Sequence, residues 1–129
     1  MKRITLSSAK KKAWVQFSRY IRLVNADQNG NVRCYTCSTT KPWKEMQAGH
    51  GIPGRNNAVL FLEEIVKPQC VGCNMFANGR LAVFTRKLID ELGMEEYDTV
   101  SRLSNDVVKY TIFDFQELER WYKEQVEGL

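Results

Sequence analysis

Cys34-Tyr35-Thr36-Cys37 and Cys70-Val71-Gly72-Cys73 share one spacing, and the chain's single histidine, His50, lies between them. Two cysteines separated by two residues bring their sulfurs to one side of a tight turn. Two such turns complete a tetrahedral set of four thiolates, the coordination that zinc favours. The expected ligands are Cys34, Cys37, Cys70 and Cys73, and zinc held by all four has no open position for a substrate. The metal is therefore expected to be structural. His50 stays outside the set, in the loop that the metal pins, with chemistry of its own to offer. Two disulfides or idle core thiols are the other readings of the four cysteines.

Around this motif the chain has the size and composition of one globular domain. It has 129 residues, 43% hydrophobic and 11% aromatic, enough for a modest core that gains from a metal staple. Within that domain the reading separates a basic helical arm over 1–27, a zinc-stapled core over 28–93 and a helical extension over 94–129. No apolar run approaches the roughly 18 residues that span a bilayer. The N-terminus, Met1-Lys2-Arg3-Ile4-Thr5-Leu6-Ser7-Ser8, runs into lysines and lacks the apolar region of a signal peptide. A cytoplasmic location is expected, with no membrane partner, and reduced thiols there favour zinc over disulfides.

The formal net charge of +4 conceals a strong asymmetry. Residues 1–55 carry 11 Lys or Arg against two acidic side chains, net +9, whereas residues 56–129 carry eight against 13, net −5. A basic first half points to a polyanionic partner, with a merely solubilising surface as the alternative. Ser7 or Ser8 is expected to cap a helix reaching about Ala26, with Trp14, Phe17, Ile21 and Val24 on one face. Lys10, Lys11, Lys12, Arg19 and Arg22 load its other faces and are candidate phosphate contacts.

Between Met46 and Val66 no helical period appears, and Gly49, Gly51, Pro53 and Gly54 interrupt the chain. Val59-Leu60-Phe61-Leu62 reads as a buried strand. From about Asn74 to Leu92 a helix is expected, with Phe76, Leu81, Phe84, Leu88 and Leu92 at helical spacing and Gly93 closing it. A short helix follows near Glu95–Leu103. Asp114-Phe-Gln-Glu117 has the form of a capping box opening a last helix to about Glu127, whose Leu118, Trp121, Tyr122 and Val126 read as core or dimer packing.

A cysteine knuckle, a short β region bearing a histidine, and a second knuckle that opens a helix together resemble the ββα-metal (HNH, His-Me finger) nucleases. Gln47-Ala-Gly-His50, then Gln69-Cys-Val-Gly-Cys-Asn74-Met-Phe, Asn78-Gly79 and Leu88-Ile89-Asp-Glu-Leu-Gly93, resemble the phage NinG (Rap) recombination-protein family over about Cys34 to Leu103. The Cys-x-x-Cys-Asn ending is also similar to phage endonuclease VII, a zinc-stapled nuclease of branched DNA.

The resemblance implies an α+β fold: a small ββα-metal core with a four-cysteine zinc site, flanked by an N-terminal basic helix and C-terminal helices. It implies a DNA endonuclease of phage recombination, acting in the host cytoplasm on branched DNA such as Holliday junctions and leaving 5′ phosphate and 3′ hydroxyl ends. His50 is then the general base, and Asn74 a ligand of a catalytic Mg²⁺ or Mn²⁺. A structural histidine and an ordinary helix N-cap are the plainer readings of those two residues. Where many such nucleases place Asp or His directly before the base, this chain has Gly49, so Gln47 and one of the glutamates Glu63 and Glu64, with Glu64 preferred, are the remaining candidate oxygen donors. Arg55 and Asn57 follow as candidate DNA contacts. Two opposed nicks imply a homodimer. A non-catalytic zinc-ribbon DNA-binding module and an HNH nickase without junction preference are the competing functions.

Overall fold

The computed structural model describes residues 3–53 and 56–129. It is a mixed α+β structure. In chain order come helix α1 (Leu6–Val24), strands β1 (Asn31–Arg33), β2 (Thr40–Pro42) and β3 (Met46–His50), the short helix α2 (Asn57–Leu60), strand β4 (Val66–Cys70), and helices α3 (Leu81–Leu92), α4 (Met94–Leu103) and α5 (Ile112–Glu127).

Helix α1 starts earlier than the serines suggest. Thr5 is its cap: the Ser8 N–H donates to Thr5 Oγ1 and the Thr5 N–H to Ser8 Oγ, both at 3.1 Å. Ser8 is thus the reciprocating member of the capping box rather than the cap. The buried face is Ala9, Ala13, Phe17 and Ile21, one residue per turn. Trp14 is half-buried beside that face, and Val24 is exposed, contrary to expectation. Phe17 meets Phe61 edge-on at 5.4 Å and Tyr122 of α5 at 4.9 Å. These rings belong to a core that also holds Ala48, Ile52, Val59, Ile65, Val66, Phe84, Leu88 and Val100. The basic helix is therefore built into the domain rather than standing off it.

Two antiparallel ribbons do the rest of the positioning. β1 pairs with β2, and β3 pairs with β4 in the register Met46↔Cys70 through His50↔Val66. The cysteine end and the histidine end of the β3–β4 ladder are about 14 Å apart at about 3.4 Å per residue. A smaller core of Val32, Cys34, Met46, Cys70 and Cys73, with Trp43 packed on it, fills the cysteine end.

Two expectations for local structure are corrected. Residues 59–62 form no strand: Asn56 caps α2, its Oδ1 accepting from the Ala58 N–H at 3.1 Å, and Val59 and Leu60 are buried from a helical turn. A short apolar run does not distinguish strand from buried helix, and here the asparagine cap decides. Nor is there a continuous helix from Asn74 to Leu92. A π-helical turn over Gly72–Phe76 and a 3₁₀ turn over Asn78–Arg80 precede α3. Asn78, Gly79 and Arg80 all take positive φ, which an Asn-Gly pair tolerates well. The break turns Phe76 outward, 82% exposed, while Phe84 and Leu88 stay fully buried. Gly93, at φ 86, ends α3 as expected. Helix α5 opens at Thr111, which forms the capping box with Asp114, so Asp114 sits inside the first turn. Among the described residues no helix is long and apolar enough to cross a membrane.

Candidate metal centre and the cavity beside it

The knuckle Cys34–Cys37 closes through Ser38 N–H to Cys34 O at 3.0 Å and Cys34 N–H to Thr39 O at 2.7 Å. It is tied to β4 by the Tyr35 N–H, which donates to Pro68 O at 2.9 Å. Tyr35 also anchors it to α3. The Tyr35 hydroxyl donates to Glu91 at 2.7 Å, and the Lys87 ammonium lies 4.5 Å from the ring centre while donating to the Tyr35 carbonyl at 2.6 Å. Burial and the adjacent Glu91 carboxylate push the Tyr35 phenol well above its ordinary range, so it remains a donor.

These ties bring all four cysteine sulfurs within 4.8 Å of one another, with Cys37 and Cys70 Sγ 3.6 Å apart. Tetrahedral zinc with bonds of about 2.3 Å needs sulfurs about 3.8 Å apart, so the set fits the ion. Local donors already favour thiolate at one ligand. Burial alone would raise Cys34, but the Cys70 N–H at 3.3 Å and the Thr36 hydroxyl at 3.6 Å lower it to about 6. Cys73 is the opposite case, pushed up by burial to about 12, and its proton leaves only against the charge of a metal. Cys34, Cys70 and Cys73 are buried and Cys37 is exposed.

At the other end of the ladder, His50 is held from two sides. Its Nε2 is 3.1 Å from the Leu60 carbonyl oxygen, and its ring stacks on Trp14 at 5.3 Å and 21°. A carbonyl only accepts, so Nε2 carries the proton in neutral imidazole and Nδ1 is the basic nitrogen. His50 shares a cavity of about 170 Å³ with Asn74, Asn78, Gly79, Ala48, Pro53 and Leu81. Asn74 is reached from the last cysteine by one residue of the π-helical turn. Its Nδ2 donates to Gln47 Oε1 at 2.7 Å, which ties the two carboxamides together. A second cleft of about 430 Å³ runs on from Asn74 and Gln47 past Ala48 to Trp14, Ser18 and Arg22 of α1.

The remaining sequence candidates divide. Lys10 and Lys11 line a groove of about 590 Å³ with Ser7, Trp14, Val15 and Leu60. Arg22 lies in the Gln47–Asn74 cleft, its guanidinium donating to Trp43 O at 3.3 Å; burial and then Arg19 lower its pKa. Arg19 donates to Gln16 at 3.1 Å, and Lys12 is exposed; helical geometry turns both away from the Trp14 face. Glu64 is exposed in the 3₁₀ turn Glu63–Ile65, and it lines neither space that holds Asn74. Asn57, expected at a DNA face, donates instead to Val108 O at 3.1 Å and braces α2 against the chain before α5. Arg55 lies outside the described residues. Sequence pattern does not mark Trp14 or Asn78 as site residues: Trp14 is one more apolar position on a helix, and Asn78 is half of a turn signal.

Fold and site together define a small α+β protein with a cluster of four cysteines placed to hold a metal ion, and a histidine–asparagine cavity at the far end of its longer ribbon. The family model described as "Bacteriophage Lambda NinG protein" matches residues 3–129, and the chain belongs to the NinG family. No curated protein and no solved structure matches the chain.

Proposed function

We propose that this chain is a metal-dependent endodeoxyribonuclease of phage DNA recombination, with a ββα-metal active site and branched DNA, Holliday junctions in particular, as substrate. The observation that carries the reading is the shared cavity of His50 and Asn74, with the His50 ring locked so that Nδ1 is its basic atom. Hydrolysis of a phosphodiester needs a base for water and a counter-charge for the departing 3′ oxygen. His50 Nδ1 takes the proton from a water poised at the phosphorus, while the Leu60 carbonyl stabilises the imidazolium through Nε2–H. Stacking on Trp14 keeps that ring from rotating away. Asn74, held by Gln47, presents Oδ1, and these two amides would hold a hard cation that otherwise keeps water and phosphate oxygens. When bound, such a cation supplies Lewis-acid stabilisation of the phosphoryl and leaving oxygens.

Helix α1 adds the binding track. Lys10, Lys11, Trp14, Ser18 and Arg22 fall along one stripe of roughly 18 Å from Lys10 to Arg22 at about 1.5 Å per residue. That stripe passes the His50 cavity and is long enough for two or three nucleotides of one strand. Paired nicks across a junction call for two copies of the chain, and exposed Phe113 and Trp121 on α5 offer an apolar surface for their association. A non-catalytic DNA-binding zinc module is favoured by one fact: among the described residues no carboxylate lines either cleft that holds Asn74.

The deciding assay incubates zinc-loaded protein with a four-way junction and with linear duplex, in Mg²⁺ or Mn²⁺, alongside His50→Ala. Junction cleavage by the wild type and its loss in the variant are expected. Binding without cleavage of either DNA establishes the binding module, equal cleavage of both a general nickase, and undiminished cleavage by the variant removes His50 as the base.

A further inference from the structure

Gln69 is the only polar side chain fully buried among the described residues, and it lies beside a zinc ligand without being one. Its Nε2 donates to Thr36 Oγ1 at 3.0 Å and to Gly79 O at 2.9 Å. The carbonyl partner accepts only, so the nitrogen and oxygen of the carboxamide are assigned without ambiguity. Thr36 receives that hydrogen bond, and its hydroxyl lies within hydrogen-bonding distance of Cys34 Sγ, 3.6 Å away. A continuous chain of hydrogen bonds thus runs from the cysteine knuckle through Gln69 to Gly79, which lines the His50–Asn74 cavity.

The other half of the amide explains a glycine. Among the described residues Gln69 Oε1 has no hydrogen-bond partner. It lies over Gly49, where a Cβ would fall 1.8 Å from Oε1, 2.7 Å from Cδ and 3.0 Å from Asn74 Oδ1. No side chain fits at position 49 while Gln69 keeps its place. The position before His50 is therefore empty because a buried amide fills the space from the opposite strand. Stability alone does not account for this choice. A buried amide oxygen without a donor is costly, and methionine of nearly the same shape avoids that cost.

We propose that Gln69 is a positioning residue for the His50–Asn74 cavity, transmitting the order of the zinc knuckle to the Gly79 turn, and that Gly49 is glycine to admit its carboxamide. The catalytic meaning of this role rests on the nuclease reading above, whereas the coupling itself does not.

The test uses the zinc-loaded full chain with Gln69→Met, which keeps the volume and removes both donors. Gly49→Ala, alone and combined with Gln69→Met, completes the set. For Gln69→Met we expect one zinc retained per chain, an undiminished melting temperature, and amide hydrogen exchange over residues 77–81 at least tenfold faster than wild type. On DNA, kcat falls at least tenfold while KM stays unchanged, the signature of lost positioning rather than lost binding. Gly49→Ala gives the same exchange change by expelling the amide, and adding Gln69→Met does not restore it. Wild-type exchange at 77–81 in Gln69→Met overturns the proposal, whatever the kinetics. Wild-type kcat in Gln69→Met, with exchange raised, overturns the catalytic part. If the wild type cleaves no DNA, the nuclease reading fails, and exchange alone decides the coupling.

Discussion

Removing the metal is the perturbation whose size the structure bounds best. The four sulfurs join the β1–β2 knuckle to the cysteine end of the β3–β4 ribbon, and apart from them the local core there is only Val32 and Met46, with Trp43 and Ala26 at its margin. So little apolar surface cannot hold the knuckle unaided. Four-cysteine zinc sites bind with about 10–16 kcal/mol of apparent free energy, against a net stability of about 5–15 kcal/mol for a domain. If only about 5 kcal/mol of that reaches global stability, the melting temperature falls by about 10 °C or more, at about 2–4 °C per kcal/mol. The assay is thermal unfolding followed by circular dichroism, before and after chelation, with zinc stoichiometry measured by mass spectrometry under reducing conditions. One zinc per chain is expected. The single-ligand variants should follow burial: Cys34→Ser costs more than Cys37→Ser, because Cys37 is exposed and a hydroxyl there is solvated. A metal-free protein that melts within about 2 °C of the zinc form would refute the reasoning, since the shift is then below about 1 kcal/mol.

The other expectations concern separate parts of the molecule. His50→Ala should lower cleavage by about 10²–10⁴-fold while keeping bound zinc, checked by single-turnover kinetics beside metal analysis. Replacing Lys10 and Lys11 together by alanine removes two cations from the groove beside Trp14. In DNA titrations across salt concentrations, the slope of log K against log salt should become shallower by about 1.8 if both contact phosphate. Glu91 is held below the ordinary carboxylate range: burial opposes this, but hydrogen bonds from Tyr35 and Lys67 prevail. A depressed pKa gives stability that is present above the unfolded carboxylate value and is lost as pH falls through the folded one. Glu91→Gln should therefore cost less than about 1 kcal/mol at pH 7, given a side chain 48% exposed, and the difference should fade on acidification below about pH 4. Urea unfolding at pH 7 and pH 3 reads this directly. Phe17→Ala should cost about 3–5 kcal/mol by the same measurement, because Phe17 is fully buried between Phe61 and Tyr122.

What could be read from the chain, and what could not, follows from how far each signal reaches. The cysteine spacing is local geometry: two residues between ligands determine the turn, and the sulfurs meet as that spacing requires. Helix α1 is nearly as local: its cap falls at Thr5 rather than at the serines because Thr5, Ser7 and Ser8 all offer a capping hydroxyl within one turn, and Val24 is exposed at the helix's last residue. The run at 59–62 failed because four apolar residues satisfy both a strand and a buried helical turn, and only Asn56 tips the balance. At the site, His50 stood out as the sole histidine, and Asn74 by its place after Cys73. Their partners were not legible, because each depends on a contact between distant segments: Leu60 with His50, Trp14 with His50, Gln69 with Gly79. The same limit applies to any further metal ligand. Asking which side chain replaces the carboxylate missing at position 49 presumes a vacancy there, whereas Gln69 already occupies that space and permits no side chain. Among the described residues the oxygen donors beside Asn74 are neutral, and on the nuclease reading a cation bound there would draw most of its compensating charge from a DNA phosphate. Cation affinity should then be weak for the free protein and rise on binding DNA, as linkage between the two ligands requires.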